Sequence, residues 1–147
     1  MKKSLCILIC LCLVLLCACQ AKDSNDKTVN KILTICNAER AKLSAGELTL
    51  DEALCEAALV RANEICTEGN FSHIRPDGSG CFTVIKGEFA FAGENLAVGE
   101  NDAEKIVSAW MASPDHKENI IKPDFTKAGI AMVKSGDSYY IVMLFLG

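Results

Sequence analysis

The C-terminal end of the chain constrains its fold more than any other part. Two apolar runs, Ala128–Val133 and Tyr139–Phe145, flank the polar segment Lys134-Ser135-Gly136-Asp137-Ser138. Runs of that length bounded by turn residues predict two strands, joined as an antiparallel hairpin by a five-residue loop. A further strand is expected near Asn95–Val98.

The segments upstream follow a helical period instead. Val29, Ile32, Leu33, Cys36 and Leu43 predict a first helix over about 28–43, stopped by Gly46. Asp51 is a fitting N-cap for a second helix, which Gly69-Asn70 ends. Its apolar residues form two stripes, Cys55, Leu59, Ala62 and Cys66 beside Leu54, Ala58 and Ile65, so it is expected at the centre of the fold. The stretch Phe71–Gly99 is rich in loops and carries the turn signal Arg75-Pro76-Asp77-Gly78. A third helix begins at Asn101 or Asp102, with Asn101 and Glu104 spaced as a capping box and Ala103, Ile106, Val107 and Trp110 on the buried face. Ser113-Pro114 opens a short fourth helix that Pro123 closes. Helices first and a hairpin last predict an α+β fold, helices covering a small antiparallel sheet.

The first 18 residues do not belong to that fold. Lys2 and Lys3 precede an apolar stretch from Leu5 to Ala18, too short to span a bilayer and suited to a signal-peptide core. It ends in Leu16-Cys17-Ala18-Cys19, which resembles the lipobox of bacterial lipoproteins. That resemblance implies cleavage before Cys19, lipid on its thiol, and an extracytoplasmic protein held to the membrane by that lipid. Residues 19–28 are polar and charged and are expected to be a tether, leaving 29–147 as one domain. The chain carries a formal charge of −4, and Lys2 and Lys3 leave with the signal peptide. The mature part is therefore more acidic still and has no basic run, which argues against a nucleic-acid partner.

Of nine cysteines, Cys36, Cys55, Cys66 and Cys81 remain in the domain. Cys55 and Cys66 are eleven residues apart on one expected helix, roughly 16 Å by helical rise, against a limit of about 7 Å for a disulfide. Pairings through Cys36 and Cys81 stay open, beside the favoured reading of buried thiols at apolar helical positions.

Six short motifs occur in order: Asn37-Ala38-Glu39-Arg40, Arg61-Ala62, Phe71-Ser72-His73 with Arg75-Pro76-Asp77-Gly78, Gly93-Glu94-Asn95-Leu96-Ala97, Trp110-Met111-Ala112-Ser113-Pro114-Asp115-His116, and Asn119-Ile120. Together they resemble the bacterial branch of the CAP superfamily (the SCP domain; cysteine-rich secretory proteins, antigen 5, pathogenesis-related 1). The resemblance implies a three-layer α-β-α sandwich with a cleft above the sheet. It also implies two cleft histidines, matched by His73 and His116, and a glutamate, matched by Glu94. The family's second acid falls on Ser113 and is absent, and Asp115 stands where glycine is usual.

The residues support a site independently. His73 and His116 are the chain's two histidines, and both lie in polar, turn-rich segments. His116 falls in the first turn of its helix, where free N–H groups disfavour a positive charge and so favour the neutral imidazole that binds metal. With Glu94 on a loop entering a strand, two imidazoles and a carboxylate suffice to hold zinc or another divalent metal, with water completing the shell. The plain alternatives are that His73 bonds a loop carbonyl, Glu94 ties down Arg75, and His116 only begins a helix. Asn37 and Arg40 are expected to brace the first helix, Asp115 to be a favourable first-turn charge, and Trp110 to be core.

Three functions follow. The first is a binding or scaffold module of the cell envelope, with a small lipid, a peptide or a wall component as ligand. The second is a metal-dependent hydrolase of peptides or esters, using Glu94 or a histidine as base. The third is a structural envelope protein with a vestigial cleft. The absent second acid and the lack of a recognisable nucleophile motif favour the first.

Overall fold

The computed structural model describes residues 24–147; the signal-peptide and Cys19 readings lie outside them. In chain order the described elements are helix α1 (24–41), strand β1 (Thr49–Leu50), helix α2 (Glu52–Glu68), a 3-10 turn (Cys81–Val84), strand β2 (Ala92–Gly99), helices α3 (Ala103–Ala112) and α4 (Pro114–Ile121), and strands β3 (Lys127–Ser135) and β4 (Ser138–Leu146). The strands form one open sheet in the order β1-β3-β4-β2, with β1 parallel to β3 and the other pairs antiparallel.

The sheet is covered on both faces. Ile130, Met132, Ile141, Met143 and Phe145 pack with Ile32 and Cys36 of α1, Ile106, Val107 and Trp110 of α3, and Ile120 of α4. Ala131, Val142, Leu144 and Leu96 pack with Leu54, Ala58, Ala62 and Ile65 of α2. This is the three-layer α-β-α sandwich. Strand β4 is buried on both faces, which is why its sequence is a nearly continuous apolar run rather than an alternation. Layer α2 lies so close to the sheet that a Cβ on Gly129 would stand 2.2 Å from the Leu54 carbonyl carbon.

Several local expectations are met by their physical cause. Asp51 Oδ1 accepts from Leu54 N–H at 3.0 Å, and Gly69 ends α2 in the left-handed region at φ +64°. Pro114 occupies the first turn of α4. Trp110 is 1% exposed and donates its indole N–H to Leu96 O at 2.9 Å, fastening α3 to β2. Asn37 exchanges two hydrogen bonds with the Leu48 backbone. The thiols of Cys36, Cys55, Cys66 and Cys81 are free, as favoured, but only Cys36 and Cys81 are buried; Cys55 and Cys66 are half-buried.

Others are corrected. Residues 24–28, assigned to the tether, are already helix: Thr28 and Asn30 donate back to the carbonyls of Ser24 and Asp26. The hairpin loop is two residues, not five, because Ser135 still pairs with Ser138 and Gly136 takes φ +58°. That left-handed conformation suits a tight hairpin turn and costs glycine little. The cap of α3 is Asp102, which accepts from Lys105 N–H; Asn101 instead donates to Ser24. Leu59 is 46% exposed rather than part of a buried stripe on α2. Its place on the buried arc is taken by Arg61.

Candidate functional site

Strand β2 lies at one edge of the sheet, and alternate residues on it serve different layers. Glu94 stands opposite Leu144, whose side chain belongs to the α2 face. Asn95 stands opposite Met143, which faces the other layer. Residues directly opposed across two strands share a face, so Glu94 points toward α2 and Asn95 toward α4. Gly93 permits this close packing: a Cβ there would stand 2.8 Å from Asn119 Oδ1 and 3.0 Å from the Phe125 ring.

On the α2 side, Arg61 donates from Nε to Glu94 Oε2 at 2.9 Å and, more weakly, from Nη2 to Oε1 at 3.4 Å. It also donates to Glu64 at 2.8 Å and to Ser72 O at 2.8 Å. Arg75 grips Glu64 in turn, at 2.6 Å for the shortest contact. His73 donates from Nδ1 to Glu94 Oε1 at 2.7 Å, so Nδ1 carries the proton while the carboxylate is ionised. Burial pushes the Glu94 carboxyl up, but the bonds from His73 and Arg61 outweigh it and hold it below the usual carboxylate range. The Glu94 side chain is 1% exposed and that of His73 55%, so the pair runs from the interior to the surface.

On the α4 side the contacts are amides. Asn95 donates to His116 O at 2.9 Å and accepts from Asn119 at 2.9 Å. These bonds hold the first turn of α4, and with it His116, against the edge of β2. Burial, and then the charge of His73, push the His116 imidazole below its usual pKa. Ser113, where the family's second acid would stand, begins α4 without a side-chain capping bond. Asp115 is exposed in the first turn of α4.

His73 and Glu94 are therefore in contact, and the main chain of His116 is bonded to Asn95 on the other face of β2. Glu94 pairs with Arg61, not with Arg75. Among the described residues, the group of His, Cys and acidic side chains whose ligand atoms all lie within 4.8 Å of one another is His73, Glu94 and Cys81, without His116. Cys81 is 6% exposed, and burial followed by the Glu94 charge pushes its thiol up to about 12. Sequence reasoning missed Arg61 and Cys81 as parts of this site. Arg61 carried a signal, since it shares the helical spacing of Leu54, Ala58 and Ile65, and a charge on a buried stripe requires a partner. Cys81 carried none, because an irregular turn places it.

An α-β-α sandwich with an acid–imidazole pair at the sheet edge defines the class. Residues 33–145 match the family model described as the cysteine-rich secretory protein family, CAP. The chain belongs to that family. It is 35% identical over 119 residues to the YkwD protein of Bacillus subtilis, covering 79% of this chain and 46% of that one. A second curated relative from B. subtilis, the membrane protein YlbC, is matched over 33% of its length, so the chain spans less than half of either. Among solved structures, an outer surface protein from Borrelia burgdorferi superposes with a TM-score of 0.74 at 25% identity, covering 82% of this chain and 92% of that one. An extracellular SCP-domain protein from Bacillus anthracis gives 0.72 at 23% identity, covering 83% of this chain and 41% of that one.

Proposed function

We propose that this chain is an extracytoplasmic binding module of the cell envelope, anchored through lipid on Cys19, whose cleft of His73, Glu94 and His116 holds a divalent metal and presents it to a polar or anionic ligand. The observation that carries this reading is the state of Glu94. Its two oxygens already accept from Arg61 and His73, and its proton affinity is lowered. A general base works best with a free lone pair and a pKa near the working pH, so the carboxylate is suited to orienting an imidazole rather than to activating water. Carboxylate–imidazole pairs of this kind fix the ring and its tautomer in metal sites. Nε2 of His73 has no hydrogen-bond partner among the described residues and is left as an acceptor.

The donor set suits zinc or a similar ion, which bound here would supply a positive centre for a ligand's carboxylate, phosphate or carbonyl oxygen. Lipid attachment rests on the Leu16-Cys17-Ala18-Cys19 motif, and the ligand class is a small lipid, a peptide or a wall component. Zinc calorimetry tests the cleft. One site is expected in the wild type, lost in His73→Ala and in His116→Ala and weakened in Glu94→Gln, with each variant folded by circular dichroism. Zinc binding unchanged in both histidine variants would leave the cleft vestigial. Hydrolysis of peptides or esters that disappears in His73→Ala would replace the binding reading with the enzymatic one.

A further inference from the structure

Cys81 differs from the buried thiol of Cys36 in its surroundings. Cys36 is part of the apolar cluster beneath α1, and Cys81 belongs to neither apolar cluster of the fold. Its neighbours are instead the polar groups of the cleft. Its Sγ, a ring nitrogen of His73 and a carboxylate oxygen of Glu94 lie mutually within 4.8 Å. The main chain sets this spacing: Cys81 N–H donates to His73 O at 3.0 Å, next to an antiparallel bridge between Ile74 and Gly80. Thiol and imidazole are thus placed by backbone pairing, and the carboxylate is fixed by Arg61.

We propose that Cys81 is a ligand of the cleft metal, entering as thiolate, and that it makes the site selective for thiophilic divalent ions such as Zn²⁺ or Cd²⁺ over Mg²⁺ and Mn²⁺. The proposal rests on the reading that the cleft holds a metal. Nε2 of His73 and the Cys81 thiolate would supply one nitrogen and one sulfur, a pair of donors that zinc accepts, with the remaining places open to His116 and water, while Glu94 stays on Nδ1–H of His73 and fixes the ring. Thiolate ligation favours softer ions, and Mg²⁺ and Mn²⁺ favour oxygen donors. As the metal–sulfur bond forms, the thiol proton leaves to solvent. His73 stays neutral, keeping its single proton on the nitrogen that does not bind. The thiolate and the carboxylate then balance the charge of the ion, and Arg61 stays on Glu94 Oε2. The half-exposed imidazole is the side from which an ion enters, since Cys81 and Glu94 are 6% and 4% exposed.

Cadmium titration of the processed, lipidated chain beginning at Cys19, in detergent, tests this through the ultraviolet thiolate-to-metal charge-transfer band. The band should saturate at one equivalent in the wild type and be lost in Cys81→Ser, which retains Cys36, Cys55 and Cys66. Zinc affinity in Cys81→Ser should fall about tenfold or more, with Mg²⁺ affinity unchanged. Zinc X-ray absorption on the wild type needs no variant and should show one sulfur at about 2.3 Å. Zinc bound with only nitrogen and oxygen neighbours, or a cadmium band unchanged in Cys81→Ser, would overturn the role of Cys81 while leaving the metal reading intact. A wild-type chain that binds no divalent ion would overturn both.

Discussion

Two arginines, Arg40 and Arg61, are completely buried in this fold, and they are used in opposite ways. Among the described residues, Arg40 meets no carboxylate. Its guanidinium donates to four carbonyls, those of Gly46, Ile120, Lys122 and Phe125, and so ties the loop after α1 to the end of α4 and the entry to β3. Burial lowers its pKa. Arg61 meets two carboxylates, and its pKa is raised because Glu94 and Glu64 overcome the effect of burial. The first is a clamp between chain segments. The second is part of an ionic relay running from Arg75 through Glu64, Arg61 and Glu94 to His73 at the surface. Burial alone therefore does not distinguish a structural cation from a site residue; the charge of the acceptors and the group at the end of the chain do.

Substitution at the two positions should separate stability from site chemistry. Arg61→Ala leaves Glu94 buried without its main counter-charge and should cost about 3–5 kcal/mol in urea unfolding, with zinc binding weakened as well. Arg40→Ala leaves the buried bonds to Ile120 O and Phe125 O unmade and should cost about 2–4 kcal/mol, with the zinc isotherm unchanged wherever the variant is folded. Equal loss of zinc binding in the two variants would erase the distinction.

Acid sharpens the comparison further. Glu94 and Glu64 have lowered pKa values in the folded state, so the unfolded chain binds more protons as pH falls. Their contribution is present above the ordinary carboxylate range and is lost as pH drops through their folded values. Urea midpoints of the wild type and of Arg40→Ala should fall together through that range. Arg61→Ala should show a shallower slope.

The smallest effect is expected at His116. Its imidazole should titrate below the usual histidine range by nuclear magnetic resonance, and His73→Gln should move it part of the way back, since the His73 charge contributes to the shift after burial. No movement in His73→Gln would mean that the two rings do not sense each other.

The helices and the hairpin were legible because they rest on periodicity and caps: Asp51, Gly69, Ser113-Pro114 and the runs that became β3 and β4 all carry local signals. What the sequence hid depends on contacts distant along the chain. The two-residue strand β1 exists only because β3 lies beside it. The short hairpin turn is decided by continued pairing of Ser135 with Ser138, which composition does not reveal. His73, Glu94 and His116 were legible as candidates through their motifs. Their distribution over two layers was not, because it depends on which face of β2 each neighbour serves. The pairing of Arg61 with Glu94 needed the packing of α2 on the sheet, which no local pattern encodes.

We propose that His73 and His116 lie close enough across the edge of β2 to share an ion. Nitrogen-15 spectra of the imidazole rings during zinc titration test it most directly. The account predicts that ring nitrogens of both histidines shift together, saturating at one zinc per chain. Zinc that perturbs only one ring, or neither, at saturation would contradict it.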